Sequence, residues 1–493
     1  MNMQSQKSHE VWTEERLRTQ YAESEDVRIR SFDFGEKADT RVILAYADGL
    51  CDDIEIDKIV IPKLAEHYDK QGNFLQPLTP LTTILPIQSF ENGSSPDKVD
   101  EILFEGSLIF LFVKEEALYS LGLSNRPQRQ PNDSNTEISI KGPRDCFVED
   151  IVVNIALVRK RIRSRSLHVE YHTLGVRTRT KVGLLYMYDI ISPKLLNELR
   201  KRLDSIHLDG IYSINQLEEM LVGSKFKILP LLDFTGRPDY IVSSLLAGRF
   251  VLIVDGIPMV LSGPAGLTYI MKSPEDVHFN YVYISFSRII RIFSLFISIF
   301  LPGIWVSLVA FHPDQIPFRM MATIAISRLG LPLSSQMEMF ILLMLLEIFR
   351  EAGVRLPSSI GQTLTSIGAL IIGDAAIRAG LVSPSVVVVG AVTAVSSVTL
   401  VNQTLSTMVS ILRLIFFFLA SFLGMYGLIL GVIIMIAYMS SLRSFGVNYL
   451  APLSPLRLHE VASSFLRVPW TLLKKRPKSL NTIDRDREGE EGQ

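Results

Sequence analysis

Charge is partitioned along this chain more sharply than any other property. Of 50 Lys+Arg and 51 Asp+Glu residues, only 13 fall between Arg288 and Leu442; the others lie outside, chiefly in the first 285 residues. So long and so nearly uncharged a stretch cannot present its whole surface to water, whereas the part before it can. The chain therefore reads as a soluble amino-terminal half, a membrane domain, and a short tail, basic first and mixed afterwards. At 493 residues it is too long for one compact domain.

The start, MNMQSQKSHEVWTEERLRTQY, has neither an apolar core nor a cleavage site, so it is not read as a secretory signal. A large domain made before the first membrane segment is then expected to stay in the cytoplasm. Cys51 and Cys146 are the only cysteines. They offer no disulfide framework and no metal-ligand pattern, and they suit reducing surroundings. The near-zero net charge gives no reason to expect nucleic acid.

The soluble half reads as α/β in two subdomains. Residues 1–30 form a polar segment, 31–143 the first subdomain and 144–285 the second. RVILAYADGL is expected as a strand entering a turn and IDKIVIPKLAEHY as a helix, while VDEILFEGSLIFLFVK mixes both signals. EISIKG is expected as a strand, and RDCFVEDIVVNIALVRKRIRS as a helix ending in a basic cluster. LHVEYHTLGVRTRTKVGLLYMYDI alternates like paired strands around Gly175. In SPKLLNELRKRLDSI a Ser cap and a Pro at the first helical position announce a helix. In GRFVLIVDGIPMVLSG, Asp255-Gly256 between apolar runs predicts a hairpin, because the tight turn needs positive φ. No internal repeat is visible.

Residues 286–445 are expected to form an all-α polytopic membrane domain of five or six helices, with 446–493 a basic cytoplasmic tail, disordered at its end. The candidate spans are roughly 288–311, 333–350, 359–379, 382–401, 405–424 and 426–442. The last two could be one long helix, since Gly424 and Gly427 allow a turn without requiring it. Arg288, Arg291, Arg350, Arg355, Arg443, Arg457, Arg467 and the KKRPK run fit one cytoplasmic side if the number of crossings is even, which six satisfies. HPDQIPFRMMATIAISRLGLP is too polar and too Pro-broken to cross.

Taken together, KGPRDCFVEDIVVNIALVRKRI, GRFVLIVDGIPMVL, SPEDVHF, AFHPDQIP, FREAGVRLPSSIGQ, AGLVSPSVVVV and SLRSFGVNYLAPLSPL resemble the A subunit of bacterial spore germinant receptors, the GerA-type family. The likeness runs from about residue 30 to about 470. It implies a protein of the spore inner membrane that works with a transporter-like B subunit, which senses nutrient, and a C-subunit lipoprotein. It also implies a homo-oligomer, pentameric in the family, that acts as a ligand-gated channel for monovalent cations. Leu329 and Leu343 depart from the family's pattern, which often has an acid at each position.

Helical spacing places Gly361, Thr365, Gly368, Ile372 and Ala376 on one stripe of the third span, where small residues suit either a packing seam or a narrow pore. Asp374 and Arg378 lie on the opposite side, spaced to pair. If the stripe lines a pore, the pair is a clasp; if Asp374 lines it, as one of a ring of carboxylates, the stripe is packing. Glu338 is expected in a wet vestibule or paired with Arg328, and Glu347 beside Arg350 and Glu351. Arg413 is expected to snorkel to the interface. The basic cluster Arg159, Lys160, Arg161, Arg163 and Arg165 is read as a solvated helix face or a contact with lipid or another subunit.

No GxxxxGK, HExxH or GxSxG occurs, and no catalytic, cofactor-binding or metal-ligating set is read. The expectation is a non-enzymatic subunit forming a nutrient-gated cation channel. Its alternatives are a non-conducting scaffold that anchors the nutrient sensor and signals through its cytoplasmic domain, and a solute carrier.

Overall fold

The computed structural model describes residues 12–35, 41–72, 74, 85–90, 95–114, 117–125, 140–223, 228–354, 373–400 and 402–487. Two compact units divide the chain. The first comprises the amino-terminal half to Gly223, Leu232–Pro264, and the segment from Lys475 onward. The second comprises Ser224–Leu231 and Ala265–Lys474.

The first unit opens with α1 (Glu14–Gln20), β1 (Val27–Asp33), β2 (Arg41–Ala47) and α2 (Ile61–Gln71), which a π-helical turn at Ile56–Val60 precedes. Then come β3 (Gln88–Ser89), α3 (Pro96–Phe104), β4 (Ser107–Phe112) and β5 (Ala117–Gly122). These strands form one antiparallel sheet in the order β1-β2-β4-β5-β3. Strand alternation splits its side chains between two cores. Ile43, Ala45, Ile109 and Leu111 pack with Leu17, Val99 and Leu103 on one face, while Val42, Leu44, Phe110 and Phe112 pack with Ile56, Val60 and Leu64 on the other.

After α4 (Ile151–Arg159) come β6 (Leu167–Leu174), β7 (Thr180–Met187), α5 (Pro193–Asp204), α6 (Ile214–Val222), β8 (Asp233–Thr235), α7 (Pro238–Leu245), β9 (Phe250–Val254) and β10 (Val260–Gly263). Their antiparallel order is β6-β7-β9-β10-β8, the order of the first sheet again. Equivalent residues recur: Tyr46 and Tyr186 lie in the second strand of each sheet, and Gly106 and Gly248, both at φ 91°, turn each chain from helix into the fourth strand. The fold is thus internally duplicated, although the sequence displays no repeat. Gly256, at φ 81°, makes the expected hairpin turn between β9 and β10.

Two sequence expectations change. Residues 140–142 of EISIKG form bends, not a strand, and the helix expected across 144–164 is confined to α4. α4 serves both sheets: Ala156 belongs to a core of the first, while Ile151, Ile155 and Val158 belong to the core of the second. Residues 475–487 also belong to this unit. There Ile483 N–H donates to Ile190 O at 3.0 Å, Arg476 Nε donates to Leu246 O at 3.0 Å, and Leu480 is buried.

The second unit is helical: α8 (Tyr281–Phe311), α9 (Phe318–Ser327), α10 (Ser335–Val354), α11 (Pro384–Val398), α12 (Gln403–Ser441) and α13 (Leu458–Phe465). Among the described residues, two helices, Tyr281–Phe311 and Thr404–Ser441, are long and apolar enough to cross a membrane. At ten residues α9 is too short to do so. α12 is broken at Gly424, whose φ 60°, ψ −144° is non-helical. A Cβ on Gly427 would stand 2.3 Å from Leu419 O, and one on Gly431 2.8 Å from Phe416. In a straight helix those partners would be roughly 12 Å or more apart, so the two arms fold back on each other. Gly424 is therefore the tip of a helical hairpin, and the two-span reading replaces the single long helix.

Candidate functional site: charged clusters of the helical unit

The few charges of this unit meet across helices that are distant in sequence. Near the Phe311 end of α8, Glu338 lies in the first turn of α10 and is fully buried. Its Oε2 accepts from the backbone N–H of Ser383 at 2.9 Å, the residue that caps α11. Its Oε1 lies 3.2 Å from Arg328 Nη2, a charge contact that is not aligned as a hydrogen bond. Since Arg328 closes α9, one carboxylate ties three helix ends together. Of the two settings expected for Glu338, the structure supplies the pair with Arg328.

The second cluster lies inside the bundle. Arg413 on α12 is only 5% exposed, so it does not snorkel. Its Nη2 donates to Glu347 Oε2 at 2.9 Å and to Ser410 Oγ at 3.1 Å. Arg350 also bonds Glu347, and its Nη1 reaches Ser410 Oγ at 2.5 Å. One carboxylate is shared by two guanidiniums, so α10 is held to α12. The snorkelling reading fails because Arg413 finds a carboxylate on another helix, a partner invisible to local spacing.

Asp374 and Arg378 pair at 2.8 Å along residues 373–378, and both are exposed, at 58% and 79%. Gly373 is buried beside Val387, and Ala376, turned the other way from the charged pair, is half-buried. Gly361, Thr365, Gly368 and Ile372 lie outside the described residues.

Two features escaped the sequence reading. α11 buries Gly390, Thr393, Ser396 and Ser397, and a Cβ on Gly390 would stand 2.4 Å from Leu342 Cδ2. The spacing 390, 393, 397 is a helix-face signal that was available. At the Tyr281 end of α8, Asp276 binds both Arg288 and Arg291. Among the described residues, no group of three or more His, Cys, Asp or Glu side chains could hold a metal ion.

The pattern of an α/β unit followed by apolar helices is matched by a family model, described as Bacillus/Clostridium GerA spore germination protein, over residues 15–479. The chain belongs to the GerA spore germination family. The resemblance carried by segments such as SLRSFGVNYLAPLSPL is thereby borne out. Among its relatives is spore germination protein XA of Bacillus anthracis, 39% identical over 473 residues, which are 96% of each chain. Spore germination protein KA of Bacillus subtilis is 35% identical, with 95% of this chain and 86% of the relative covered. The uncharacterized membrane protein YfkQ of Bacillus subtilis is 33% identical, over 92% and 87%. A solved N-terminal domain of the A subunit of the Bacillus megaterium spore germinant receptor GerK3 aligns at 24% identity and a TM-score of 0.39, covering 51% of this GerA-family chain and 92% of that one.

Proposed function

We propose that this chain is the A subunit of a spore germinant receptor in the spore inner membrane, with its α/β unit in the cytoplasm. Copies of it assemble into a homo-oligomer, a pentamer by family resemblance, that conducts monovalent cations once nutrient is sensed. The B subunit senses the nutrient, and a C-subunit lipoprotein completes the receptor.

One observation carries the channel reading. Asp374 and Arg378 interrupt an apolar segment yet stand exposed on a surface that the chain itself leaves uncovered. Charges beside a bilayer are stable only against protein or water. Copies of the chain arranged around an aqueous path satisfy both, with Ala376 on the packed side. Gly361, Thr365, Gly368 and Ile372, which helical spacing puts on the Ala376 stripe, are in this reading packing positions.

Chain connectivity supports the membrane path. The chain leaves the first unit at Pro264 and rejoins it at Lys475, so both ends of the intervening stretch belong on one side of the membrane. That requires an even number of crossings, and the hairpin at Gly424 supplies the pair needed for six.

Purified chain in planar bilayers tests the reading. Unitary cation currents that shrink in Asp374→Asn are expected. Saturable solute exchange would instead mark a carrier, and silence with intact partner binding a scaffold.

A further inference from the structure

The two repeats of the α/β unit are closed in the same way by different parts of the chain. In the first repeat the chain runs straight on from β5, and Leu123–Asn125 fold over the turn that follows β2. There the Asp52 N–H donates to Leu123 O at 2.9 Å, and the Asn125 N–H donates to Leu50 O at 2.9 Å. Ser124 lies over Gly106, where a Cβ would stand 2.9 Å from Ser124 Oγ. Counted from the paired residues Tyr46 and Tyr186, Leu50 corresponds to Ile190; Gly106 corresponds to Gly248. In the second repeat the chain does not run on. β10 ends at Gly263, the Ala265 N–H turns away to Leu231 O at 3.0 Å, and Ala265–Lys474 belong to the helical unit.

The corresponding positions are filled from beyond the helical unit. The Ile483 N–H donates to Ile190 O at 3.0 Å, as Asn125 does to Leu50. Thr482 takes the place of Ser124, because a Cβ on Gly248 would collide with Thr482 Cγ2. Thr482 and Leu480 are only 4% and 2% exposed. The Thr482 hydroxyl makes no hydrogen bond among the described residues, so it is the methyl that Gly248 admits. The loop presenting these side chains is closed on itself. Its Arg476 N–H donates to Arg485 O at 2.9 Å, Lys475 and Asp486 form an antiparallel bridge, and Arg476 Nη1 reaches Asp484 Oδ2 at 2.6 Å. Arg476 Nε then donates to Leu246 O at 3.0 Å, one turn from Gly248.

We infer that Ile190, Leu246 and Gly248 form a peptide-docking groove of the α/β unit, and that its occupant is the chain's own Leu480–Ile483, held as a releasable strap. Covalent distance makes the difference between the repeats. Leu123–Asn125 follow β5 directly and cannot leave without disturbing it. The strap reaches its groove only after the whole helical unit, so it can open without the sheet, as the least secured parts of a fold do. While the groove is occupied, both ends of the helical stretch are tied to the second repeat; once it empties, only the Pro264 end is. The strap is thus the point at which the α/β unit is coupled to the helical unit or released from it. The inference stands on the α/β unit and on chain connectivity, and depends neither on membrane placement nor on conduction.

Hydrogen exchange of the full-length chain, read by mass spectrometry, tests it. Leu480→Asp with Thr482→Asp leaves the groove untouched and is expected to speed exchange across 480–483 roughly tenfold or more, while β7 and β9 keep their protection. Thr482→Val, which keeps the methyl, and Lys478→Gln, which alters an exposed side chain, are expected to exchange like wild type. A labelled synthetic peptide of residues 475–487 is expected to bind the Leu480/Thr482 variant at least about tenfold more tightly than wild type, whose groove is already filled by a tethered competitor. Equal exchange across 480–483 in wild type and the double variant would overturn the docking. Loss of protection throughout β7 and β9 in that variant would overturn the strap, because the segment would then be an inseparable part of the sheet's core. A peptide that binds neither chain would overturn the groove as a site in its own right.

Discussion

Arg159 grips Asp26 with two parallel hydrogen bonds, Nε to Oδ2 at 2.6 Å and Nη2 to Oδ1 at 2.8 Å, and the side chains are only 1% and 2% exposed. Asp26 immediately precedes the first sheet, and Arg159 ends the helix that leads into the second. The guanidinium also donates to Ser164 O at 2.9 Å and stacks 4.3 Å from the ring of Phe104. Removing one member strands a buried charge, so Asp26→Ala is expected to cost about 3–5 kcal/mol. Arg159→Lys recovers little of this, because an ammonium cannot reproduce the fork. The double change Asp26→Leu with Arg159→Met is expected to unfold closer to wild type than either single change. Thermal unfolding followed by proteolysis of the α/β unit measures all of these, and a mild Asp26→Ala would refute the clamp.

Gly424 makes a second prediction. Its backbone lies where only glycine is comfortable, and an added Cβ would sit 2.9 Å from Phe311 Cγ. Gly446 also has positive φ, at 80°, but a Cβ there would meet nothing within 4 Å. Gly446→Ala thus isolates conformational strain, about 1 kcal/mol, and Gly424→Ala is expected to cost more, about 2–3 kcal/mol. Equal effects on Tm would mean that Phe311 does not pack against the hairpin tip.

How much of this was legible in the sequence depended on the range over which each signal acts. The β9–β10 hairpin announced itself through Asp255-Gly256, and the existence of the described apolar helices through hydropathy, because local backbone preference and composition decide them. The clamp did not. Arg159, Arg161, Arg163 and Arg165 read as a solvated basic face, yet their partners are Asp26, Asp145, Glu105 and the pair Asp97/Asp100. Most of those partners lie far away in sequence, and nothing in local spacing reveals them. The duplication hid for a related reason: it survives as strand order, while the spacing between equivalent residues such as Tyr46/Tyr186 and Gly106/Gly248 drifts. In the helical unit the Asp374–Arg378 pair was legible because it is an i,i+4 contact. Glu347–Arg413 was not, because two helices must pack before it exists.

The Arg328–Glu338 contact separates two substitutions that look alike. Arg328→Ala removes the countercharge from a fully buried carboxylate that keeps only its Ser383 N–H bond. Glu338→Gln removes the charge itself and retains an oxygen for Ser383. Arg328→Ala is therefore expected to destabilise the helical unit more, by about 3 kcal/mol, and Glu338→Gln by about 1 kcal/mol. The order of Tm values in lipid nanodiscs checks this, and Glu338→Gln as the more damaging change would show that the carboxylate has a partner besides Arg328 and the Ser383 N–H.

The α/β unit carries one acid whose titration the fold controls. Burial alone would raise the pKa of Glu170, but His172, whose Nε2 lies 3.7 Å away, and hydrogen bonds from Arg200 and Tyr186 outweigh it and hold the carboxyl at about 2. Arg200 Nε lies 3.1 Å from Oε2, and the Tyr186 hydroxyl also donates to the carboxylate. The folded state therefore favours the ionised form relative to the unfolded chain, where a glutamate titrates near 4.3. The stabilisation is fully present above the unfolded value and is lost as pH falls from about 4.3 through about 2. Glu170→Gln is expected to cost about 1–3 kcal/mol at neutral pH, with the gap from wild type closing across that acid window. Unfolding midpoints at pH 7, 4 and 3 measure the gap. A difference that stayed constant to pH 3 would assign the role of Glu170 to packing and neutral hydrogen bonding rather than to its charge.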